Sequence, residues 1–314
     1  MQAFALDSIG QPGSLRELPE PEPGPGEVLV RTRAVGVNPF DSVVVQGWVM
    51  EYMEHRFPLV PGMDAAGVVQ ALGDGVDGFA PGDEVFGGVG KPYVGAGTYA
   101  EAVTMATSSI LARPAWLGLE LAAALPLAGS TAITLLDAVS LAPGETVLVL
   151  GASGGVGSFL VPLAKQAEAT VVGVCSGPNL DYVRERGADD LIDYTSQDVA
   201  ATLRERHPEG IDAIVDLVGD GAGLLGLSEQ VRKGGRVASS VSAADEGKLA
   251  ERGIRATNVA TMISAALLGR LVDGLQDGSL LAPEVHTMPL AAAADALGAI
   301  GSHHTRGKLV MTVP

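Results

Sequence analysis

The sequence predicts an α/β fold in which a doubly wound parallel sheet is combined with a β-rich region. Three observations lead to this prediction. After about Leu121, short apolar segments alternate with longer amphipathic ones, as strands alternate with helices in parallel sheets. The apolar segments TVLVL and ATVVGVC carry almost no polar residue, which is typical of strands covered on both faces. The first 120 residues instead contain short β-branched segments separated by glycine and proline.

The composition sets the first limits on function. The chain has 314 residues and 47% apolar residues, which is enough for two domains or one large one. Its net charge is −17, and such a polyanion repels phosphate backbones, so we expect no nucleic-acid partner. A lone cysteine, Cys175, excludes a disulfide within the chain and a four-thiolate zinc site, and we interpret it as a small buried apolar residue.

No segment predicts a membrane or export function. The start, MQAFALDSIG, lacks the basic and apolar regions of a signal peptide. The uncharged run 146–164 is long enough to span a bilayer, but its four glycines and Pro162 favour a strand, a turn and a buried helix. We therefore expect no membrane partner and a cytoplasmic location.

The elements follow in order. In the first region we predict strands over 26–37, 65–73, 82–89 and 97–105, whose spacing suggests a small, partly closed β-structure. Residues 120–139 are helical with a proline interruption. Then come strands over 146–150, 170–175, 190–193, 212–218, 235–241 and near 255–260, with helices near 156–167, 178–186, 197–206 and 222–231. A helix over 262–275 and a final strand, KLVMTV, complete the chain.

The segment 147–166 contains the main functional motif. A buried strand runs into Gly151-Ala152-Ser153-Gly154-Gly155-Val156-Gly157, and a helix follows. Glycines allow a tight turn and a close backbone approach to a ligand, and the N–H groups at the helix start attract a phosphate. Alanine replaces the first glycine of the G-x-G-x-x-G spacing, but the strand-turn-helix context still predicts dinucleotide binding rather than a merely structural turn.

The second strand of this region indicates which dinucleotide binds. In NAD-binding sites an acid at its end holds the ribose 2′-hydroxyl, but here Ser176 stands there and no carboxylate follows before Asp181. A small hydroxyl leaves room for a 2′-phosphate and favours NADPH. No Lys or Arg follows immediately, so Arg184, Arg306 or Lys308 would have to supply positive charge from further away.

Motifs over nearly the whole chain resemble the medium-chain dehydrogenase/reductases, and among them the zinc-independent quinone oxidoreductase branch to which zeta-crystallin belongs. The likeness lies in the glycine loop and in residues 21–47, 58–69, 82–87, 123–132, 185–194, 216–219, 234–237 and 305–313. The resemblance implies a Rossmann dinucleotide-binding domain over 122–261 and a β-rich GroES-like catalytic domain formed by 1–121 and 262–314. It also implies homodimers or tetramers, of which we expect the homodimer.

The resemblance also bears on zinc. Zinc-dependent relatives place a cysteine where this chain has Asn38 and a histidine–glutamate pair where it has Met63-Asp64. A catalytic zinc needs three such ligands. The histidines are scattered, at 55, 207, 286, 303 and 304, and the adjacent last two are interpreted as surface residues. We therefore predict no metal, and alcohol oxidation loses the Lewis acid it needs.

Site residues are carried over from the same resemblance. It places Asn38 and Thr131 near the nicotinamide. Leu217, Ser240 and Val241 would line the loops along the cofactor, and Ser176, Tyr194 and Lys308 would lie at the 2′-phosphate. Structural alternatives stay open, since Asn38 before Pro39 also suits a turn and Thr131 also suits a helix cap.

One departure from the family concerns the proton donor. Many members carry a tyrosine two residues after the glycine that matches Gly47, but this chain has Val49 there. Tyr52 or Tyr93 would have to replace it, and otherwise the proton comes from water. Trp48, with Met50 and Met53, forms either an apolar lid or packed core.

We therefore predict an NADPH-dependent reductase of a small quinone or enone. The alternatives are an enoyl-thioester reductase, a non-catalytic NADPH-binding protein like the zeta-crystallins, and, third, a zinc-dependent alcohol dehydrogenase.

Overall fold

The computed structural model describes residues 1–302 and 304–314. Within them the strands are β1 (Gln2–Ala5), β2 (Ser14–Glu17), β3 (Glu27–Val37), β4 (Glu54–Val60), β5 (Asp64–Leu72), β6 (Glu84–Gly88), β7 (Tyr93–Ala96), β8 (Ala102–Ala106), β9 (Ile110–Ala112), β10 (Thr146–Leu150), β11 (Thr170–Cys175), β12 (Asp190–Asp193), β13 (Ile211–Asp216), β14 (Val231–Ser239), β15 (Arg255–Asn258), β16 (Val285–Pro289) and β17 (Lys308–Thr312).

The α-helices in the same part of the chain are α1 (Pro39–Val45), α2 (Leu119–Ala124), α3 (Pro126–Val139), α4 (Gly157–Gln166), α5 (Leu180–Glu185), α6 (Val199–Arg206), α7 (Gly221–Leu227), α8 (Glu246–Glu251), α9 (Ala265–Gln276) and α10 (Ala293–Gly301). Short 3₁₀ turns lie at Thr107–Ser109, Gly177–Asn179, Ser228–Gln230 and Leu290–Ala292.

The chain divides into two compact units. Unit 1 comprises Met1–Ser130, Met262–Val272 and Glu284–Pro314, and unit 2 comprises Thr131–Thr261 and Asp273–Pro283. Each unit has its own apolar core, and valine, leucine, isoleucine and alanine supply most of both. The predicted α/β class is confirmed.

Unit 2 contains a six-stranded parallel sheet in the order β12-β11-β10-β13-β14-β15. Numbered along the chain, this is the 3-2-1-4-5-6 order of a dinucleotide-binding sheet. The neighbouring interior strands β10 and β11 are almost entirely buried, which explains their continuous apolar sequences. The strand order reverses between β10 and β13, and ligands of such sheets bind outside the carboxyl ends of the strands at that point.

Unit 1 is the β-rich unit. Its main sheet has the order β16-β17-β3-β5-β6-β9, and β8 also pairs with β3. Strand β3 lies between β17 and β5, with Val37 opposite Leu309 and Gly36 opposite Asp64. This register brings the end of β3 beside the first residues of β5 and β17, although these segments are far apart in sequence.

The structure corrects several predicted boundaries. The predicted strand 97–105 is strand only from Ala102, as β8, and residues 97–101 are irregular. At Gly97 the chain passes so close to Pro61 that a Cβ would lie 2.3 Å from the carbonyl oxygen of Pro61. The predicted helix 222–231 ends at Leu227, and β14 begins at Val231 rather than at 235, opposite Ile211. Strand β4 lies in a segment for which no element was predicted.

Candidate functional site

The loops that follow β10, β13 and β14 meet at the carboxyl edge of the parallel sheet in unit 2. A Cβ on Gly151 would lie 2.8 Å from the side chain of Val218, and one on Gly219 would lie 3.1 Å from the side chain of Val241. The predicted residues Gly151, Leu217 and Val241 therefore belong to loops that contact each other at the point where the strand order reverses.

The glycine loop, residues 151–157, turns sharply from β10 into α4. Gly151 has a φ of 82°, and both Gly151 N and Ala152 N donate to Val174 O. Ala152 is fully buried, whereas Ser153, Gly155 and Val156 are half-buried. The N-cap residue of α4 is Val156, whose side chain has no polar atom to cap the first N–H groups of the helix. This helix start can therefore receive an anion.

Glycine occupies two positions of this loop, 157 and 154, for different reasons. At Gly157 a Cβ would lie 2.5 Å from the carbonyl oxygens of Gly151 and Ala152, so close packing of the loop itself requires glycine. At Gly154 a Cβ would meet only Gly151 O, at 3.5 Å, and the backbone is not in the left-handed region. The fold does not need glycine at position 154, and the space beside it is open to a ligand.

A buried carboxylate shapes the loops after β13 and β14. Asp216 is fully buried, and its Oδ1 accepts from the backbone N–H groups of Val218 and Gly219. Its Oδ2 accepts from Ser239 Oγ at 2.8 Å, and that hydroxyl accepts from Val241 N and Ala243 N. Asp216 and Ser239 were not among the predicted site residues. Their contact depends on the pairing of β13 with β14, which no local sequence signal indicates.

The predicted Ser240 contacts the backbone carbonyl oxygen of Asp216. Ser240 N donates to Asp216 O at 3.1 Å, and its hydroxyl lies 3.5 Å from the same oxygen. Ser240 is half-buried, and Val241 is exposed. The two residues thus have different surroundings, although they are adjacent.

Ser176 and Tyr194 follow the neighbouring strands β11 and β12. Ser176 precedes a 3₁₀ turn and its Oγ accepts from Asn179 Nδ2, while Tyr194 is 51% exposed and its N–H donates to Cys175 O. A carboxylate also lies here, because a Cβ on Gly177 would be 2.9 Å from Asp193 Oδ2. Hydrogen bonds from Thr195 and Ser196 lower the pKa of Asp193, so it is ionised.

The three residues predicted to supply positive charge near Ser176 have different surroundings. Arg184 is exposed and bound to Asp181 in α5, eight residues after Ser176. Arg306 is bound to Glu284 in unit 1. The assignment of Lys308 to a 2′-phosphate is corrected, because its side chain is 3% exposed and its ammonium group is enclosed by groups of unit 1.

Asn38 lies in a buried polar cluster of unit 1. Lys308 Nζ donates to Asn38 Oδ1 at 2.7 Å and to Val37 O at 3.2 Å. Asn38 Nδ2 donates to Asp64 Oδ2 at 2.9 Å, and the ammonium lies 3.9 Å from that oxygen. Leu127 N donates to Asp64 Oδ1. Burial raises the pKa of Asp64 to about 6, although Lys308, Asn38 and Leu127 oppose this shift.

Asp41 continues the cluster in the first turn of α1. Its Oδ2 accepts from Asn38 N at 2.8 Å and from Tyr99 OH at 2.9 Å. Asn38 is the N-cap residue of α1 rather than only a turn residue, and it also carries the side-chain contacts above. Burial raises the pKa of Asp41 to about 7, and burial also raises the pKa of Tyr99 well above its usual value. Tyr99 was missed because it lay within a segment interpreted as continuous strand.

The segment after α1 contains the remaining candidates. Trp48 is 68% exposed and Tyr52 is 81% exposed, and Met50 is also exposed, so these three are not packed core. Met53 packs against the core of unit 1. The ring of Tyr93 is covered by the guanidinium of Arg56, whose carbon lies 3.4 Å from the ring centre.

Thr131 and Cys175 are buried residues of unit 2. Thr131 lies inside α3, five residues after its start, and is therefore not a helix cap. Cys175 ends β11, and burial raises the pKa of its thiol to about 11, as expected for a packed apolar residue.

Within residues 1–302 and 304–314, no three His, Cys, Asp or Glu side chains are arranged to hold a metal ion. His304 is exposed, and His303 lies outside the described residues. Over the same residues, every helix is too short or too polar to cross a bilayer.

Two family models match the chain. The alcohol dehydrogenase GroES-like domain matches residues 24–115, and the zinc-binding dehydrogenase model matches residues 186–311. The chloroplastic quinone oxidoreductase QR1 of Triphysaria versicolor is 35% identical over 205 residues, which is 63% of this chain and 61% of that protein. The chain thus spans about three fifths of the length of this curated relative.

Solved structures match over the whole chain. An NAD-dependent alcohol dehydrogenase is 30% identical, with a TM-score of 0.87 and complete coverage of both chains. A mycobacterial protein complexed with NADPH is 27% identical, with a TM-score of 0.87, over 99% of this chain and all of that chain.

Proposed function

Because this chain belongs to the medium-chain dehydrogenase/reductase superfamily, we propose that it is an NADPH-dependent reductase of quinones or α,β-unsaturated carbonyls that works without zinc. In this proposal residues 122–261 bind the cofactor, and residues 1–121 with 262–314 form the catalytic domain. The bound cofactor supplies the hydride. The protein binds and orients both reactants and excludes water.

The open space beside Gly154 carries the proposal. It lies at the start of α4, where backbone N–H groups and the helix dipole attract a phosphate, and where the strand order of the sheet reverses. The pyrophosphate would lie against residues 151–157. Leu217, Ser240 and Val241, held by Asp216 and Ser239, would line the cofactor, and Asn38 and Thr131 would lie near the nicotinamide.

The preference for NADPH rests on Ser176. Residues 176–179 contain no carboxylate that would hold a 2′-hydroxyl, and the side chains of Ser176 and Tyr194 are polar partners for a 2′-phosphate. The similar mycobacterial structure contains NADPH. Arg184, close in sequence, is the cation we assign to this phosphate in place of Lys308.

The surroundings of Asn38 support chemistry without zinc. A catalytic zinc needs three nitrogen, sulfur or carboxylate ligands. Of the three positions that correspond to such ligands, Asn38 is an amide, Met63 is a thioether, and only Asp64 is a carboxylate. The ammonium of Lys308 already lies between Asn38 and Asp64, and it would repel a divalent cation. These residues do not fit a zinc ion.

The proposed acceptor follows from the absence of the family tyrosine. Val49 cannot donate a proton, and Tyr52 is mostly exposed to solvent. A quinone needs no protein donor, because its reduced oxygens can take protons from water. Trp48 and Met50, both exposed, would offer apolar surface to such an acceptor. We also propose a homodimer, which light scattering would detect as twice 31.9 kDa.

The first test compares two glycine variants. Gly154→Ala places a methyl group in open space, so the protein should fold normally but bind NADPH roughly tenfold more weakly, a change of about 1.4 kcal/mol. Gly154→Asp adds charge and should weaken binding at least 100-fold. The matched controls are Gly226→Ala and Gly226→Asp in α7, where a Cβ meets nothing within 4 Å. Unchanged NADPH affinity in folded Gly154→Asp would refute the cofactor site.

The second test identifies the acceptor. NADPH oxidation is measured against benzoquinones, naphthoquinones, linear enones and enoyl thioesters. Preference for thioesters would favour the enoyl-thioester reductase. Tight NADPH binding without turnover of any acceptor would favour a non-catalytic protein. Alcohol oxidation that depends on bound zinc would favour the alcohol dehydrogenase, to which the NAD-dependent structural relative also points.

A further inference from the structure

Asn38 and the two side chains that contact it, Asp64 and Lys308, lie at the ends of three neighbouring strands of unit 1. Asn38 directly follows β3, Asp64 begins β5, and Lys308 begins β17. Since β3 pairs with both other strands, these residues converge although Asn38 and Lys308 are 270 positions apart. All three are almost completely buried.

Their hydrogen bonds determine the orientation of the Asn38 amide. An ammonium group can only donate hydrogen bonds, and a carboxylate can only accept them. Lys308 Nζ therefore requires the oxygen of the amide on its side, and Asp64 requires the nitrogen. The reverse orientation would place Asn38 Nδ2 against the ammonium and Oδ1 against the carboxylate, which is unfavourable on both sides.

We propose that Lys308 is a positioning residue for Asn38, and that its ammonium is an internal cation that fixes the amide in one orientation and balances the charge of Asp64. One N–H of Asn38 Nδ2 is used by Asp64, and the orientation leaves the second N–H as the group offered to a ligand. This inference rests on the proposed function, in which Asn38 contacts the nicotinamide or the acceptor.

The charges around Lys308 explain why a cation is needed at this position. Asp64 lies nearest, at 3.9 Å, and Asp41 also acts on it electrostatically, while Tyr99 faces Asp41. Two buried carboxyl groups without a cation would resist ionisation. Burial lowers the pKa of Lys308, and both carboxyl groups oppose that shift. In zinc-dependent relatives, as the resemblance implies, a metal ion is the cation beside these positions.

The experiment uses three variants of the full-length protein: Lys308→Met, Asp64→Asn and the double variant. Lys308→Met leaves Asp64 buried without its cation, so it should be strongly destabilised. The double variant removes both charges and should recover most of the stability. It should not recover activity, because an amide at position 64 can donate or accept and no longer fixes the amide of Asn38. The control is Lys248→Met, at an exposed lysine that pairs with Asp245, the N-cap residue of α8.

Two measurements separate positioning from a purely structural role. In the double variant, kcat should fall at least tenfold, while the dissociation constant of NADPH should stay within twofold of wild type. With asparagine labelled with ¹⁵N, the two side-chain protons of Asn38 should give distinct, slowly exchanging signals in wild type and in Lys248→Met. Both features should be lost in the double variant.

Full recovery of kcat in the double variant, or unchanged Asn38 amide signals, would overturn the proposal. Loss of these signals together with the loss of kcat would support it. If wild-type protein reduces no acceptor, the proposed function fails. The amide signals and the stability of the three variants then still decide whether Lys308 holds Asn38.

Discussion

Tyr99 donates its phenolic proton to Asp41 Oδ2 at 2.9 Å in the interior of unit 1. The same oxygen accepts from Asn38 N, so Oδ2 carries both donated hydrogen bonds of this carboxyl group. Asp41 Oδ1 is buried and has no hydrogen-bond partner among residues 1–302 and 304–314. Asp41 also lines a cavity of about 20 Å³, which is large enough for one water molecule. This geometry suits a carboxylic acid with its proton on Oδ1.

The first prediction concerns pH. Burial raises the pKa of Asp41 to about 7 from 3.8, and that of Asp64 to about 6. Above about pH 4 the unfolded chain has lost both protons, whereas the folded chain keeps that of Asp64 up to about pH 6 and that of Asp41 up to about pH 7. The free energy of unfolding should therefore fall as pH rises, by on the order of a few kcal/mol for the linked pair. Urea denaturation at a series of pH values measures this.

Asp41→Asn provides the control. Its amide oxygen can accept both existing hydrogen bonds, and its nitrogen takes the place of a protonated Oδ1. The variant should lose part of the slope with pH and should be at least as stable as wild type at pH 8. The remaining slope of stability with pH should come from Asp64. Equal slopes in the two proteins would show that Asp41 is ionised throughout this range.

The second prediction concerns Tyr99 itself. Tyr99→Phe keeps the buried ring but removes one of the two donors to Asp41 Oδ2, so unfolding free energy should fall by about 1–3 kcal/mol. Removal of this donor should also raise the pKa of Asp41 further. Denaturation at pH 7 gives the first effect, and its pH dependence gives the second. Tyr52→Phe, at an exposed position, should change stability by less than about 0.5 kcal/mol. Equal stability of the two variants would contradict this role.

The sequence predicts those features of the fold and the site whose signal lies within one short segment of the chain. Strands β10 and β11 were predicted at their observed bounds, because a strand buried on both faces is a continuous apolar segment. The glycine loop was likewise recognisable, since a strand, a turn and a helix follow one another within about twenty residues. Tyr99 lies instead in an irregular segment where Tyr99 N donates to Pro61 O, and no periodic pattern marks it.

Contacts that depend on sheet register could not be predicted from the sequence. Lys308 meets Asn38 only because β17 pairs with β3 in one particular register, and nothing near either residue indicates this. The same holds for Asp216 and Ser239, which depend on the pairing of β13 with β14. A buried ion needs a partner, but the sequence does not say which of many charged residues provides it.

The third prediction tests the loops after β13 and β14. Ser239→Ala removes the donor to the buried Asp216 Oδ2 and the acceptor of two backbone N–H groups. Stability should fall by about 2–3 kcal/mol, and NADPH should bind several-fold more weakly, because Val241 is no longer held. Fluorescence titration with NADPH measures the second effect. Ser14→Ala in β2 is the exposed control. If the variant is destabilised but binds NADPH with unchanged affinity, the loop after β14 is not part of the cofactor site.

The fourth prediction concerns Asp193, which lies beside the proposed 2′-phosphate position. A Cβ on Gly177 would be 2.9 Å from Asp193 Oδ2, and the low pKa of this carboxyl group keeps it charged. A fixed negative charge beside Ser176 should oppose a second negative charge on the ribose. Asp193→Asn should therefore strengthen NADPH binding about three- to tenfold and should change NADH binding much less. The gain should shrink at high salt, because salt screens an exposed charge.

Asp277→Asn in unit 2 is the matched control, because it changes net charge equally at another exposed turn. If the gain arose from net charge alone, both variants would bind NADPH more tightly by the same factor. If Asp193 instead accepted the 2′-hydroxyl of NADH, its removal would weaken NADH binding and leave NADPH unaffected. That result would reverse the cofactor preference proposed from Ser176. Titration of each variant with both nucleotides at low and high salt distinguishes the three cases, because each gives a different ratio of the two dissociation constants.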